Sequence, residues 1–237
     1  TLTGTTTLPD SYKLIDTMIF GPYVNLSNKS LLGLDLTGLN LTGANLLGVD
    51  LTNTKTYGFV GNNIRLSDNY KLRSGYILGQ GVDLTGVDLT GVDLTGVDLT
   101  GANLTNVKFS NVSDTLLLDE QYKLINGIVF GPNLNLSGTD LSGVNLSNVN
   151  LTGSNMTNVS YAGSRLSNIT GITIQDNRYK LIGGYIIGPY VNLSGFELSG
   201  LDLSGIDLTG SNLSGSNLTG SNLTGSNLTG SNLTGSN

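Results

Sequence analysis

The chain has 237 residues and a formal net charge of −6, and it contains no His, Cys or Trp but 34 Gly. The absence of Cys and His excludes disulfides, thiolate nucleophiles, Cys-ligated zinc and the commonest general base. We therefore expect no enzyme activity, no catalytic residues, no cofactor and no metal site. The acidic balance argues against nucleic-acid binding, and no apolar stretch approaches the roughly 20 residues of a membrane-spanning helix, so membrane insertion is not expected.

The first element, at about residues 8–23, is a module that recurs three more times. Its copies share an acidic residue, Tyr-Lys-Leu and three apolar residues, and most of them also have a Gly-containing turn and Gly-Pro. Its apolar content is too high for a free loop, so we predict an irregular coil whose Leu, Ile and Phe side chains fill the core. The later copies lie at about residues 64–81, 116–133 and 172–190.

Arrays of five-residue repeats follow each module. They cover about residues 24–58, 82–111, 134–168 and 191–237. The cleanest repeat is Val82-Asp83-Leu84-Thr85-Gly86, which recurs unchanged from Val87, Val92 and Val97. A period of five fits neither an α-helix nor a flat strand.

Each repeat predicts one short extended side and one corner. Leu and the residue two positions before it face the same way, while Asp or Asn and Ser or Thr face the other way. The fifth residue, Gly or Asn, adopts a positive φ at low cost and turns the chain. Successive sides close into coils, and stacked coils bury a column of leucines. Leu89, Leu146 and Leu218 should therefore lie inside.

These repeats resemble the pentapeptide-repeat family, whose motif reads A(D/N)LXX. The motif centre maps onto Leu26, Leu36, Leu84, Leu141 and Leu213, and the other inward position maps onto Val24, Leu34, Val82, Thr139 and Ser211. The resemblance implies an all-β fold class, a right-handed quadrilateral β-helix with about four pentads per coil, which the irregular modules interrupt. We expect a single solenoid over residues 1–237.

Each module carries a tyrosine before its Lys-Leu pair, and two interpretations of these tyrosines stay open. The rings pack on the outside of an irregular coil, or they form a lateral row that binds a protein partner, since aromatic side chains with a polar tip are favoured at interfaces. The candidate interaction residues are Tyr12, Tyr70, Tyr122 and Tyr179.

The outward acids of the arrays predict a solvated surface. The four acids from Asp83 to Asp98 should lie one per face of a coil, so they diverge and form no catalytic pair. Asp202 and Asp207 should lie under Asn222 and Asn227 of the next coil, which avoids repulsion between like charges.

Charge also bears on an alternative function that the resemblance implies. Some relatives with this fold resemble duplex DNA and bind type II topoisomerases, which requires a dense acidic surface. The arrays hold ten acids and four bases, and the difference accounts for the whole −6. However, residues 211–237 carry no charged side chain, which disfavours a DNA mimic.

The pattern favours a non-enzymatic structural or interaction protein. We expect a rod-like solenoid that forms or decorates an extracellular fibre, filament or surface assembly. A coil edge without a polar cap can pair end to end with another coil, or the same rod continues in a longer parent chain. The alternative is a binding module that docks a protein partner on the tyrosine-bearing modules. The composition favours an extracellular, cell-surface or virion setting, with the cytoplasm as the alternative.

Overall fold

The computed structural model describes residues 8–112, 114–174 and 176–237, and among these residues no helix is found. Short strands, turns and single β-bridge pairs account for the regular structure, as expected for an all-β chain. The chain divides into two units, Thr1–Glu120 and Gln121–Asn237.

The boundary between the units falls inside the third module, at residues 116–133. One continuous solenoid over residues 1–237 therefore stays a prediction. Residues 1–7 of that solenoid, and Gln175 in the fourth module, lie outside the described residues.

Each five-residue repeat forms one short side and one corner. In the repeat centred on Leu84, the backbone N–H of Val87 donates to the carbonyl of Leu84 at 2.9 Å and closes the corner. The fifth residue, Gly86, has φ of 73°, a left-handed conformation that glycine adopts without a β-carbon clash. Asn148 takes the same corner conformation with φ of 62°, which explains why Asn alternates with Gly at the fifth position.

Four repeats complete one coil in each unit. Backbones of residues twenty positions apart pair in parallel, for example Asp83 with Asn103 in the first unit and Asp202 with Asn222 in the second. The only parallel strand pair that is long enough to be named is β3 (Asn45–Leu46) with β4 (Arg65–Leu66) among the described residues. Single-residue pairing elsewhere reflects the corner after every fifth residue, which ends each side before a longer ladder forms.

The core of each unit is the column of leucines at the repeat centres. Leu89 and Leu146 are fully buried, as predicted. Leu218 is only half-buried. It belongs to the coil of residues 218–237, whose leucines become more exposed up to Leu233, and no described coil covers that coil. Burial of the repeat centre therefore depends on neighbouring coils as well as on the repeat.

The four modules contain regular β-hairpins, although the sequence predicted irregular coils. In three of them the two turn residues both have positive φ, as in Asn126 (52°) and Gly127 (75°), which is the type I′ arrangement that suits the twist of a hairpin. The antiparallel pairs are β1 (Lys13–Ile15) with β2 (Met18–Phe20), β5 (Tyr70–Arg73) with β6 (Tyr76–Gly79), β7 (Lys123–Ile125) with β8 (Ile128–Phe130), and β9 (Lys180–Ile182) with β10 (Tyr185–Ile187).

The second and fourth hairpins are inserted into coils without breaking the stack. The N–H of Asp83 donates to the carbonyl of Thr54, and the N–H of Asn192 donates to the carbonyl of Ser164, so these bonds span 29 and 28 residues. The corresponding bond spans 21 residues in regular coils, where for example the N–H of Asn103 donates to the carbonyl of Val82. The hairpins therefore add eight and seven residues to one turn of the β-helix.

The second strand of each inserted hairpin pairs with the preceding coil. In the first unit, the N–H of Ile77 donates to the carbonyl of Thr56 and the N–H of Phe59 donates to the carbonyl of Gly75, both at 2.9 Å. In the second unit, Tyr185 pairs antiparallel with Ser167. These bonds hold the hairpins against the wall of the β-helix.

Candidate protein-interaction site

The four predicted tyrosines occupy one structural position, at the base of a hairpin where the first strand begins. Each ring lies against the glycine nine residues later, just beyond or at the end of the second strand. A β-carbon built on that glycine would overlap the ring. We call this arrangement the Tyr–Gly contact. Its pairs are Tyr12–Gly21, Tyr70–Gly79, Tyr122–Gly131 and Tyr179–Gly188.

The Tyr–Gly contact closes the base of each hairpin and partly or largely buries the tyrosine. Tyr70 and Tyr179 are buried, whereas Tyr12 and Tyr122 are half-buried. The hydroxyl of Tyr12 donates to the carbonyl of Pro22 at 3.1 Å, and the hydroxyl oxygen of Tyr70 accepts the backbone N–H of Leu51 at 3.2 Å. These contacts explain why Tyr and Gly recur together in the modules. The role of the tyrosines in partner binding stays a prediction.

The side chains that the hairpins expose are aliphatic and basic. Leu14 is 62% exposed and lies opposite Ile19, which is 37% exposed. Leu181, at the corresponding position of the fourth hairpin, is 44% exposed. In the third hairpin, Nζ of Lys123 donates to the carbonyl of Asn148 at 2.8 Å, so this lysine also ties the hairpin to a coil. These leucines were not among the interaction residues predicted from the sequence, which were the tyrosines.

The outward acids cap the sides of the coils. Oδ1 of Asp140 accepts the backbone N–H of Ser142 at 3.0 Å and its hydroxyl at 2.5 Å. Oδ1 of Asp207 accepts the same two groups from Thr209, at 3.0 and 2.5 Å. The hydroxyl bond and then the backbone bond lower the pKa of both carboxyls, because each bond favours the charged form. Such carboxylates stay ionised at neutral pH and are poor general acids.

Adjacent coils pair Asp202 and Asp207 with amides, as predicted, whereas Asp140 lies beside Ser160, which is neither an amide nor a base. Nδ2 of Asn222 donates to Oδ1 of Asp202 at 3.1 Å, and Nδ2 of Asn227 donates to Oδ1 of Asp207 at 3.2 Å. The four acids of one coil therefore serve the stack, and they do not converge on a common point. No group of Asp and Glu among the described residues is arranged to hold a metal ion.

One cavity in the second unit contains a buried polar group. It has a volume of about 480 Å³. The hydroxyl of Tyr161, which lines the cavity, is buried and makes no hydrogen bond, and burial raises its pKa to about 12. Its ring contacts that of Tyr179, with centroids 4.9 Å apart. A phenol with this pKa stays neutral at neutral pH and does not act as a base. The other lining residues are Met156, Thr157, Asn158, Val159, Asp176 and Asn177.

Tyr161 was not singled out from the sequence, although its position carried a signal. It stands at a repeat centre, where the neighbouring repeats have Met156 and Leu166. The five-residue period thus places a phenol inside the coil. Over the described part of the chain, no helix combines the length and apolar character that crossing a bilayer requires.

Three solved structures are similar to this chain at low sequence identity and low TM-score. HetL, a pentapeptide repeat protein involved in heterocyst differentiation regulation from the cyanobacterium Nostoc sp. strain PCC 7120, is 24% identical over 91% of this chain and 89% of its own, with a TM-score of 0.28. A trypsin-treated variant of QnrB1, a plasmid-mediated fluoroquinolone resistance protein, is 13% identical over 90% and 82%, with a TM-score of 0.20. Full-length QnrB1 is 15% identical over 92% and 93%, with a TM-score of 0.15.

The search of curated proteins found no match. The sequence model of the family described as pentapeptide repeats matches this chain in eight copies, over residues 23–55, 80–113, 133–169, 190–225 and 202–237. Members of this family are generally non-enzymatic structural or interaction proteins. The family model matches more than half of the chain, and the structure forms coils of four five-residue repeats. The chain therefore belongs to the pentapeptide-repeat family and has its right-handed quadrilateral β-helix fold.

Proposed function

We propose that this protein is a non-enzymatic interaction scaffold, in which the β-helix presents β-hairpins to a protein partner. The observation that carries the proposal is the Tyr–Gly contact, which recurs at the base of all four hairpins. A hairpin that is closed at its base loses little conformational freedom on binding, so less of the binding free energy is spent on ordering it.

The exposed hairpin side chains suit a protein partner. Leu14 and Leu181 expose aliphatic surface at corresponding positions, each next to a lysine. Apolar side chains surrounded by polar ones are typical of the centre and rim of a protein interface. Under this proposal the tyrosines hold the hairpins in position, while the leucines contact the partner.

Site-specific photo-cross-linking in cells that produce the full chain tests the proposal. A photoreactive phenylalanine analogue replaces Leu14 or Leu181, and a matched control replaces Leu32, which is 54% exposed in an array. We expect the same cross-linked polypeptide from both hairpin positions and none from the control. Equal cross-linking from all three positions, or none from the hairpins, would contradict the proposal.

A second candidate is assembly by stacking of coils, as the sequence predicted for a fibre, filament or surface array. The observation in its favour is the parallel pairing of successive coils, for example Asp202 with Asn222, which a coil of another copy would extend. Pairing with a coil of another copy would satisfy the backbone groups at the edge of a coil. The predicted extracellular, cell-surface or virion setting belongs to this proposal.

Sedimentation velocity distinguishes assembly from a monomeric scaffold. We expect the chain to form concentration-dependent polymers, and we expect Leu233→Lys to shift them toward monomer, because a charge at a buried coil edge is costly. Lysine in place of the exposed Leu32 is the control and should leave the polymers unchanged. A monomer at all concentrations would refute assembly without affecting the hairpin proposal.

The DNA-mimic alternative also stays a prediction. It would require the acids of the arrays to imitate the phosphates of a duplex, yet residues 211–237 offer no charge. An assay of type II topoisomerase supercoiling tests it directly, since a mimic inhibits the enzyme at stoichiometric concentration.

A further inference from the structure

Two tyrosines outside the hairpins stand in a strained backbone conformation. Tyr23 and Tyr190 each follow a Gly-Pro pair within the identical heptapeptide Gly-Pro-Tyr-Val-Asn-Leu-Ser. Their φ angles are 59° and 61°, in the left-handed region that bulky residues rarely enter. Asn133 and Gly81 occupy the same corner in the other two modules, with φ of 58° and 70°. Asparagine and glycine adopt this left-handed conformation easily.

The corner itself therefore does not require an aromatic residue. Two of the four modules use the residue types that ordinarily fill such corners, and two use tyrosine at a cost in backbone strain. A strained residue that persists twice in the same geometry points to a role for its side chain.

Both rings are held in place by the next coil. The ring of Tyr23 lies across Gly43, where a built β-carbon would be 2.6 Å from Cδ1, and the ring of Tyr190 lies across Gly210 at the same 2.6 Å. The tyrosines are nevertheless 77% and 55% exposed. Each ring thus rests on a glycine backbone and offers much of its surface to solvent.

The groups beside Tyr23 are neutral and hydrogen-bonding. On the side that follows the corner, Oδ1 of Asn25 accepts the hydroxyl of Ser27 at 2.8 Å. On the next coil, just before the corner at Gly43, Oδ1 of Asn40 accepts the hydroxyl of Thr42 at 2.8 Å. Because the amide oxygens are used in this way, the NH₂ groups of the two amides can donate to a ligand.

Tyr190 has a corresponding environment. Oδ1 of Asn192 accepts the hydroxyl of Ser194 at 2.7 Å, and Oδ1 of Asp207 accepts the hydroxyl of Thr209 at 2.5 Å. These flanks offer amides, hydroxyls and one carboxylate, which suit a ligand rich in hydroxyl groups. The guanidinium of Arg178 lies close enough to Asp207 to lower the pKa of that carboxyl, and it adds a further donor near Tyr190.

We propose that the rings of Tyr23 and Tyr190 are stacking platforms of two carbohydrate-binding sites. A sugar ring presents an apolar C–H face that packs on an aromatic ring, while its hydroxyls at the edge bond to amides and hydroxyls. A platform that is fixed before binding loses little entropy when the ligand arrives. This inference goes beyond the scaffold function and does not depend on it.

The full chain with Tyr23→Asn and Tyr190→Asn together tests the proposal, since Asn133 shows that asparagine fits this corner. The probes are linear hexasaccharides of glucose, xylose, mannose and N-acetylglucosamine, and a proline-rich peptide serves as the competing ligand. Binding is followed by saturation-transfer NMR and titration calorimetry. The control is Tyr57→Asn, which removes a tyrosine from the array but not from either platform.

We expect at least one hexasaccharide to bind the parent chain, the double variant to bind it at least about tenfold more weakly (~1.4 kcal/mol), and the control to bind it unchanged. The double variant should melt no lower than the parent chain, because asparagine relieves the strain. Failure of every hexasaccharide to bind, binding of the proline-rich peptide alone, or unchanged binding by the double variant would overturn the proposal.

Discussion

The Tyr–Gly contact predicts a strong coupling between two residues nine positions apart. Gly131 is a suitable place to test it, because the three atoms nearest to a β-carbon at this position all belong to the ring of Tyr122. Gly131 does not have a positive φ, so alanine fits its backbone conformation. Gly131→Ala should destabilise the protein by overpacking, at a cost of about 1–3 kcal/mol.

The sign should reverse once the ring is removed. In the Tyr122→Ala background, the new methyl group has space. Replacing glycine there should raise the free energy of unfolding by about 0.4–1 kcal/mol, because it lowers the conformational entropy of the unfolded chain. The unfolded-chain effect is the same in both backgrounds and cancels in a double-mutant cycle, so the coupling energy equals the overpacking cost of about 1–3 kcal/mol. For a chain of this size, 1 kcal/mol corresponds to roughly 2–4 °C in Tm.

The assay is thermal unfolding of the four proteins of the cycle, followed by circular dichroism, with urea unfolding as the second measurement. We expect a lower Tm for Gly131→Ala in the parent chain and an equal or higher Tm for the same change in the Tyr122→Ala background. An equal loss in both backgrounds would show that the glycine is required for another reason. No loss in the parent chain would show that the ring does not lie on Gly131.

Three further predictions concern the coil itself. Leu89→Ala should lower stability by about 2.7–5 kcal/mol, because it empties part of a fully buried column, whereas Leu32→Ala should change it by less than about 0.5 kcal/mol. Tyr161→Phe should raise stability by about 1–3 kcal/mol, because it removes a buried hydroxyl without a partner. The carboxyl of Asp207 has a folded-state pKa below its unfolded value of about 3.9, so its stabilising effect is present above that pH and is lost as pH falls through the folded pKa. Asp207→Asn should therefore weaken the dependence of Tm on pH below about 4.

The measurements for these three predictions are melting curves, at neutral pH for the first two and from pH 2 to 7 for the third. Equal losses for Leu89→Ala and Leu32→Ala would contradict the inward leucine column. A lower Tm for Tyr161→Phe would show that its hydroxyl has a partner. A pH dependence that Asp207→Asn leaves unchanged would assign the acid sensitivity to other carboxyls.

The five-residue period and the corner residues were sufficient to predict the coil. The coil requires an inward leucine and a positive φ in every repeat of five residues, and both can be recognised from residue type and spacing. Leu89 and Leu146 could therefore be placed inside from sequence alone. The stacking of Asn222 over Asp202 followed from the same count of four repeats per coil. The hairpins also left a local signal, since Asn126 and Gly127 form a turn pair typical of type I′ hairpins, but the prediction of irregular coils did not use it.

The candidate site depended on contacts that no local pattern contains. The recurrence of tyrosine was visible in the sequence, yet only the tertiary structure shows that each ring covers a glycine nine residues later, and that Leu14 and Leu181 are the exposed side chains. The period placed Tyr161 inward, but whether its hydroxyl finds a partner depends on the coil packed against it. The sequence by itself determined the coil, because backbone geometry and side-chain direction are local properties of each repeat. The tertiary structure decided the packing of the rings and the exposure of the side chains, because both depend on which segments lie next to one another.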